Sequence, residues 1–446
     1  MANEAFARVK PDQFPTAQWG LLGPEQLAGS RRTRTLGLGA AVRKFNQLAV
    51  PGLGGVWFAK QIFLATLGVR VADRLRPISG NVKAIEIANA VEALACWCAF
   101  NSNGWASDSR LRGSQKLAGK DNLTFARLRQ PRFYVSQPMR MATVEALVDL
   151  GFVEPGSQRF NSFRCTQAGM DLVETATAEY RPYNATVEDY LLGRAKDDAS
   201  ISNTHALREA LSPLVVLRPD ARALIRDKLC EGAGRNPSAA RRKNALAWVR
   251  SLDGKHPAGW DAKPSVLDAD HWDALRLGAR FFTARDAAID VLNAIEAQMA
   301  PLAAPKLSAD DAHKLSPVQT RLESLREAAQ RFLDEDQDPT EGRMAMVFCR
   351  ECVGADLAAT IRNLVKRDDR VLRLVGNEVL PGAAFSMQPQ VEISDEEGAG
   401  PGADNVGRVP VPADISGRIR NLYFLDLDLQ GRLGEFLNPP ATDEPA

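Results

Sequence analysis

The stretch 136–180 constrains the fold most, because its hydrophobic spacing switches from helical to extended and back to helical. Ser136 offers a helix N-cap, and Pro138 fits a first turn whose amides lack intrahelical partners. Met141, Val144, Leu147 and Val148 then recur at helical spacing, and Gly151 supplies the residue just past the helix end. Phe152, Val153 and Glu154 start a strand, Pro155-Gly156-Ser157-Gln158 reverses the chain, and 159–165 return as a second strand. Thr166 caps a following helix that runs toward Tyr180. A chain with this segment needs a small hairpin held between helices.

A helix ending in Leu150-Gly151-Phe152-Val153-Glu154, a basic hairpin, then Arg164, Thr166, Ala168, Gly169 and Leu172 resembles the winged helix-turn-helix pattern of MarR- and PadR-type regulators. The similarity covers about residues 105–180. It implies a recognition helix, a wing and a following helix, and with them a DNA-binding module. Residues 101–130 depart from the family pattern: Gly104, Gly113 and Gly119 fall where regulators have two compact helices. On the expected recognition helix, Gln137, Arg140 and Thr143 share the face opposite the apolar stripe, with side chains that bond base edges or phosphates. On the wing, Arg159 and Asn161 are placed to meet a minor groove or the backbone. Arg127, Arg129 and Arg132 extend the same basic run. Winged helices also dock proteins, so a protein-binding role stays open beside the DNA-binding one.

Charge supports a nucleic-acid face only when read by segment. The whole chain carries 56 Lys+Arg against 55 Asp+Glu, a net charge of +1. Residues 107–164 hold ten basic and five acidic side chains, a local +5. Residues 390–446 hold eleven acids against four basic residues, a local −7. Neutrality excludes a protein that is basic throughout, but the basic stretch supplies the phosphate-binding part of affinity.

Length and hydrophobic content, 446 residues and 45%, predict roughly two or three domains with real cores. The expected fold is mainly α with small β elements: a winged helix-turn-helix module, a helical region, then a small α+β C-terminal part. The boundaries are 1–104, mostly helical; 105–185, the module; 186–340, helical; and 341–446, α+β with an acidic loop and a loose tail. Helices are expected over 82–100, 268–299, 317–333 and 355–366, with Ser238 as the cap of one near 239–252. The pair 268–299 and 317–333 fits an antiparallel hairpin, an oligomerisation surface, or plain core packing. Strands are expected over 343–349 and, from alternating apolar and acidic residues, over 421–429. Residues 1–35 read as irregular, ending in a basic knot at 30–34, and 394–402 as a solvated loop.

No trusted catalytic motif appears, so a non-enzymatic role is expected, with no cofactor and no metal. Cys349 and Cys352 form a lone C-x-x-C without a second pair at zinc spacing. Asp426 and Asp428 would face the same way on a strand and leave a metal-dependent nuclease as an alternative. The glycines at 37, 39, 52, 54 and 55 complete neither a dinucleotide fingerprint nor a P-loop. The apolar run 50–72 contains Lys60, Arg70 and four glycines, so it reads as a buried helix after a Gly-rich turn and not as a membrane span. No signal peptide opens the sequence and its six cysteines are sparse, which points to the cytoplasm. The expected partners are duplex DNA together with other proteins or further copies of the chain. The expected role is a component of a larger prokaryotic assembly in chromosome or plasmid maintenance, regulation or phage defence, with an interaction scaffold as the alternative.

Overall fold

A computed structural model describes residues 34–157, 159–232, 236–252, 259–385 and 400–439. Most of the basic knot, of the expected acidic loop and of the expected loose tail lies outside those residues.

In chain order, α1 (Gly39–Ala49) leads through a glycine turn to α2 (Ala59–Ser79) and α3 (Ala84–Ser102). Two single turns, α4 (Ser114–Leu117) and α5 (Phe125–Leu128), precede α6 (Val144–Asp149), β1 (Val153–Pro155), β2 (Phe163–Cys165) and α7 (Gln167–Thr177). Then come α8 (Val187–Asp197), α9 (His205–Leu211), α10 (Pro219–Cys230), α11 (Pro237–Arg250) and the long α12 (Ala269–Met299). A second unit follows: β3 (Leu307–Ser308), α13 (Ala309–Ala312), α14 (Ser316–Leu333), α15 (Met344–Cys352), α16 (Leu357–Asp368), β4 (Leu372–Val375) and β5 (Glu378–Pro381). The chain closes with α17 (Ala403–Gly407), α18 (Gly417–Gln430) and α19 (Leu433–Leu437). The described residues are mainly helical, with two small antiparallel sheets, β1-β2 and β3-β5-β4.

Two apolar cores organise these elements. The first centres on the α2–α3 pair, whose residues are buried on nearly every side, and it gathers α5 through α11. Ile415, Ile419, Phe424 and Leu433 of the C-terminal segment join this core and not the neighbouring second one. The second core draws Leu36, Val42 and Phe45 against the outer length of α12, with α14, α15, α16 and the three-stranded sheet. Helix α12 belongs to both, since Trp272 and Leu275 lie in the first core and Leu277 to Met299 in the second. Arg276 and Arg280 near its start meet Glu335 just past the end of α14, so the two helices run antiparallel. The pair forms an antiparallel hairpin packed into the second core.

Caps follow the sequence where short polar side chains precede a helix. Asp268 accepts from the His271 amide to start α12, and Thr166 accepts from the Gly169 amide to start α7. At α11 the cap is Asn236 and not Ser238, because Pro237 occupies the first helical position.

Two expected strands are helices. Residues 343–349 fall mostly in α15, where Ala345, Met346, Phe348, Cys349 and Cys352 make one buried stripe. A short apolar run does not separate strand from buried helix by itself. Residues 421–429 form the body of α18, which is buried all round. Its acids alternate with apolar residues because both carboxylates are buried and find partners on neighbouring helices. Asp428 Oδ2 accepts from the Ala59 amide at 2.8 Å, at the start of α2, and Asp426 pairs with Arg250 at 2.5 Å. No helix among the described residues is long and apolar enough to cross a membrane.

Candidate nucleic-acid interface

The expected recognition helix is divided. Pro138 is extended, a short 3-10 turn occupies Met139–Ala142, and α6 begins only at Val144. The break turns Arg140 inward. Its amide donates to Glu92 Oε1 at 2.9 Å, its Nη1 donates to Asn89 Oδ1 at 3.3 Å, and Nη1 lies 3.8 Å from Glu92 Oε2. Tyr134 donates its hydroxyl to the same carboxylate at 2.6 Å. A carboxylate buried in α3 needs such donors. Burial pushes the Glu92 carboxyl upward, against the opposing pull of Arg140 and Tyr134. Burial beside Glu92 also holds the Tyr134 phenol well above its ordinary value. Thr143 is fully buried, and its hydroxyl donates to the Arg140 carbonyl at 2.9 Å. Gln137 is half-buried. The exposed face expected for Gln137, Arg140 and Thr143 therefore does not form, since two of the three point into the protein. Conversely Met141, expected in the apolar stripe, is 55% exposed.

The back of this element is locked. Gly52 and Gly54 adopt left-handed φ of +71° and +58°, and a Cβ on Gly52 would lie 2.2 Å from Asp149 Oδ2. The Gly55 amide donates to the Ala142 carbonyl at 3.0 Å. Glycine is needed here for conformation and for approach. The Gly-rich turn that carries no nucleotide motif is thus a docking surface for 142–149. Arg418 of α18 reaches the same place and donates to both oxygens of Glu145 at 3.1 and 2.6 Å.

The hairpin forms with Val153 opposite Cys165 and Pro155 opposite Phe163, its second strand shorter than the expected 159–165 because Phe160–Ser162 is a 3-10 turn. Gly169 lies against its base: a Cβ there would meet the Phe152 carbonyl at 2.3 Å. Asn161 is exposed but not free. Its Oδ1 accepts from the Ile85 amide at 2.9 Å, satisfying one of the open donors at the start of α3. Its carbonyl accepts from Arg76. Arg159 is exposed beside it.

Arg127, Arg129 and Arg132 are all exposed. Lys116 Nζ donates to the Arg132 carbonyl at 2.9 Å, and Lys120 lies 4.9 Å above the Phe133 ring, so both lysines belong to the same basic surface. Arg129 and Arg132 also line a groove of about 430 Å³ between the first turn of α3, the irregular segment 131–138 and Phe160. Ile85, Val135, Met141 and Val144 make its apolar wall, and Arg140 with Asn89 its inner end. Lys83 at the groove is paired with Glu86 at 3.0 Å, which leaves Arg129 and Arg132 as the net positive charge of the mouth.

The other candidate chemistries lose their geometry. Asp426 and Asp428, two apart on a helix, point to different sides and are separately bonded. Cys349 and Cys352 are buried in α15, and burial pushes the Cys352 thiol up to about 12. Among the described residues no three His, Cys, Asp or Glu side chains are grouped to hold a metal ion. Comparison with protein-family models, curated proteins and solved structures gives no match, so the functional reading rests on these residues.

Proposed function

We propose that this chain is a nucleic-acid-binding, non-enzymatic component of a larger prokaryotic assembly, and that its contact surface is the basic side of the 105–180 segment. The observation that carries the reading is the convergence of Arg129, Arg132, Lys116 and Lys120 on one exposed surface beside the groove, with Arg159 on the adjoining hairpin. The helix, hairpin and capped helix over 144–177 support a winged helix reading, with the hairpin as wing. Contact runs through the rim arginines and the wing, because Arg140 and Thr143 are occupied inside. Duplex DNA is the expected ligand. Chromosome or plasmid maintenance, regulation and phage defence are the candidate settings, argued from chain length alone.

Fluorescence anisotropy with a labelled random duplex at two salt concentrations tests the proposal. Affinity should fall steeply with salt. Arg129→Glu with Arg132→Glu should weaken binding and lower the salt slope by about one for each phosphate no longer neutralised. Binding that ignores both salt and the double substitution would overturn it and favour protein docking by the same module.

A further inference from the structure

The groove beside the basic surface is more specific than phosphate binding requires. A duplex backbone meets exposed charges and has no use for a recessed apolar wall. About 430 Å³ is the scale of a small-ligand site. Arg140 at its inner end is only 9% exposed. Among the described residues its guanidinium makes one hydrogen bond, to Asn89, plus the 3.8 Å ion pair with Glu92. Five N–H donors on a guanidinium leave most of this fork unspent, and the groove is the space it lines. Asn89, by contrast, is saturated on its amide nitrogen by the Leu128 and Gln130 carbonyls, so it orients Arg140 and does not compete for a ligand. The exposed Met141 thioether and the Phe160 ring complete a wall suited to a flat aromatic face.

Resting on the nucleic-acid reading above, we infer that the groove receives one unpaired nucleotide of a single strand. Its base lies against Met141 and Phe160 with a carbonyl acceptor edge toward Arg140, and its phosphates meet Arg129 and Arg132 at the mouth. Stacking of this kind tolerates any base, while the buried guanidinium favours bases that present oxygen acceptors, as thymine and guanine do. Double-stranded ends or interiors do not enter without unpairing.

The test is anisotropy of the full chain with labelled dT12 and with a blunt duplex of equal length, each against Met141→Glu and Arg140→Met. Met141 is exposed, so its substitution leaves the fold intact and keeps the test decisive if Arg140→Met destabilises the chain. We expect dT12 to bind at least tenfold more tightly than duplex, and either substitution to lower dT12 affinity about tenfold, well beyond any accompanying loss of duplex affinity. Equal affinity for dT12 and duplex, or dT12 binding indifferent to Met141→Glu, overturns the inference and leaves the surface reading standing. Absence of binding to both probes overturns the two together.

Discussion

Glu145→Leu and Arg418→Met break the same ion pair, yet the structure predicts unequal costs. The Arg418 side chain is 2% exposed, and that of Glu145 is 31% exposed. Removing Glu145 leaves a buried guanidinium whose neutral acceptors include Gln47 Oε1 at 2.9 Å and the Val50 carbonyl at 3.1 Å. Stranding a buried charge costs about 3–5 kcal/mol. Removing Arg418 leaves a carboxylate that reaches water and still accepts from the Gly52 amide at 3.1 Å. That loss is nearer to about 1–3 kcal/mol, the cost of unmade hydrogen bonds. Adding Arg418→Met to Glu145→Leu should therefore restore stability instead of lowering it further. Urea unfolding followed by tryptophan emission reads this directly, because Trp57, Trp97, Trp105, Trp248, Trp260 and Trp272 all lie in or against the first core. Equal losses below about 1 kcal/mol for both single variants would refute the reasoning, since that is the behaviour of a solvated surface pair.

Three further outcomes follow from other sites. Burial pulls the Lys60 ammonium from 10.5 down to about 7, against Asp428 and Glu209. Above that value the unfolded chain binds the extra proton, so stability rises with pH. From pH 7 to 8, before the buried thiols of Cys96 and Cys98 (held up at about 12 by burial) begin to oppose it, wild type should gain about 1 kcal/mol relative to Lys60→Met. Parallel urea midpoints across that range would contradict this. Gly169→Ala should cost about 1–3 kcal/mol by forcing α7 off the hairpin, and hydrogen exchange at the β1–β2 amides should quicken; unchanged protection there would show that the contact yields cheaply. Asp428→Asn keeps an acceptor for the Ala59 amide but withdraws the charge facing Lys60, so the lysine should titrate still lower; a Lys60-linked stability change that stays in the same pH range would count against their coupling.

Elements with strong helical period were legible: α12, α14, α16 and, with its Thr166 cap, α7 stand close to where spacing put them. The hairpin was legible through its turn residues, and the buried helix after the glycine turn through its interrupted apolar run. Residues 421–429 were not, because their alternation records separate partners for the buried Asp426 and Asp428, supplied by Arg250 and by the start of α2. Those partners are 176 and 369 residues away in sequence. Arg140 was misread for the same reason. Its type suggests an exposed ligand for phosphate, and only the position of Glu92 in α3 reveals why it turns inward. The groove depends on three segments meeting, so its prolines and arginines were visible while their convergence was not.

The first core has a timing cost built into its topology. Its N-terminal share is complete by Leu275, but α18 comes from beyond Val409. The intervening chain folds into a separate core. At about 5–20 residues per second of synthesis, the growing chain waits on the order of ten seconds with the start of α2 and the end of α11 missing their last partners. Asp428 is then not yet present to accept from the Ala59 amide, nor Arg418 to clamp Glu145. Polypeptides released in that interval would carry the groove's residues with its support unfinished, which makes them natural clients of chaperones.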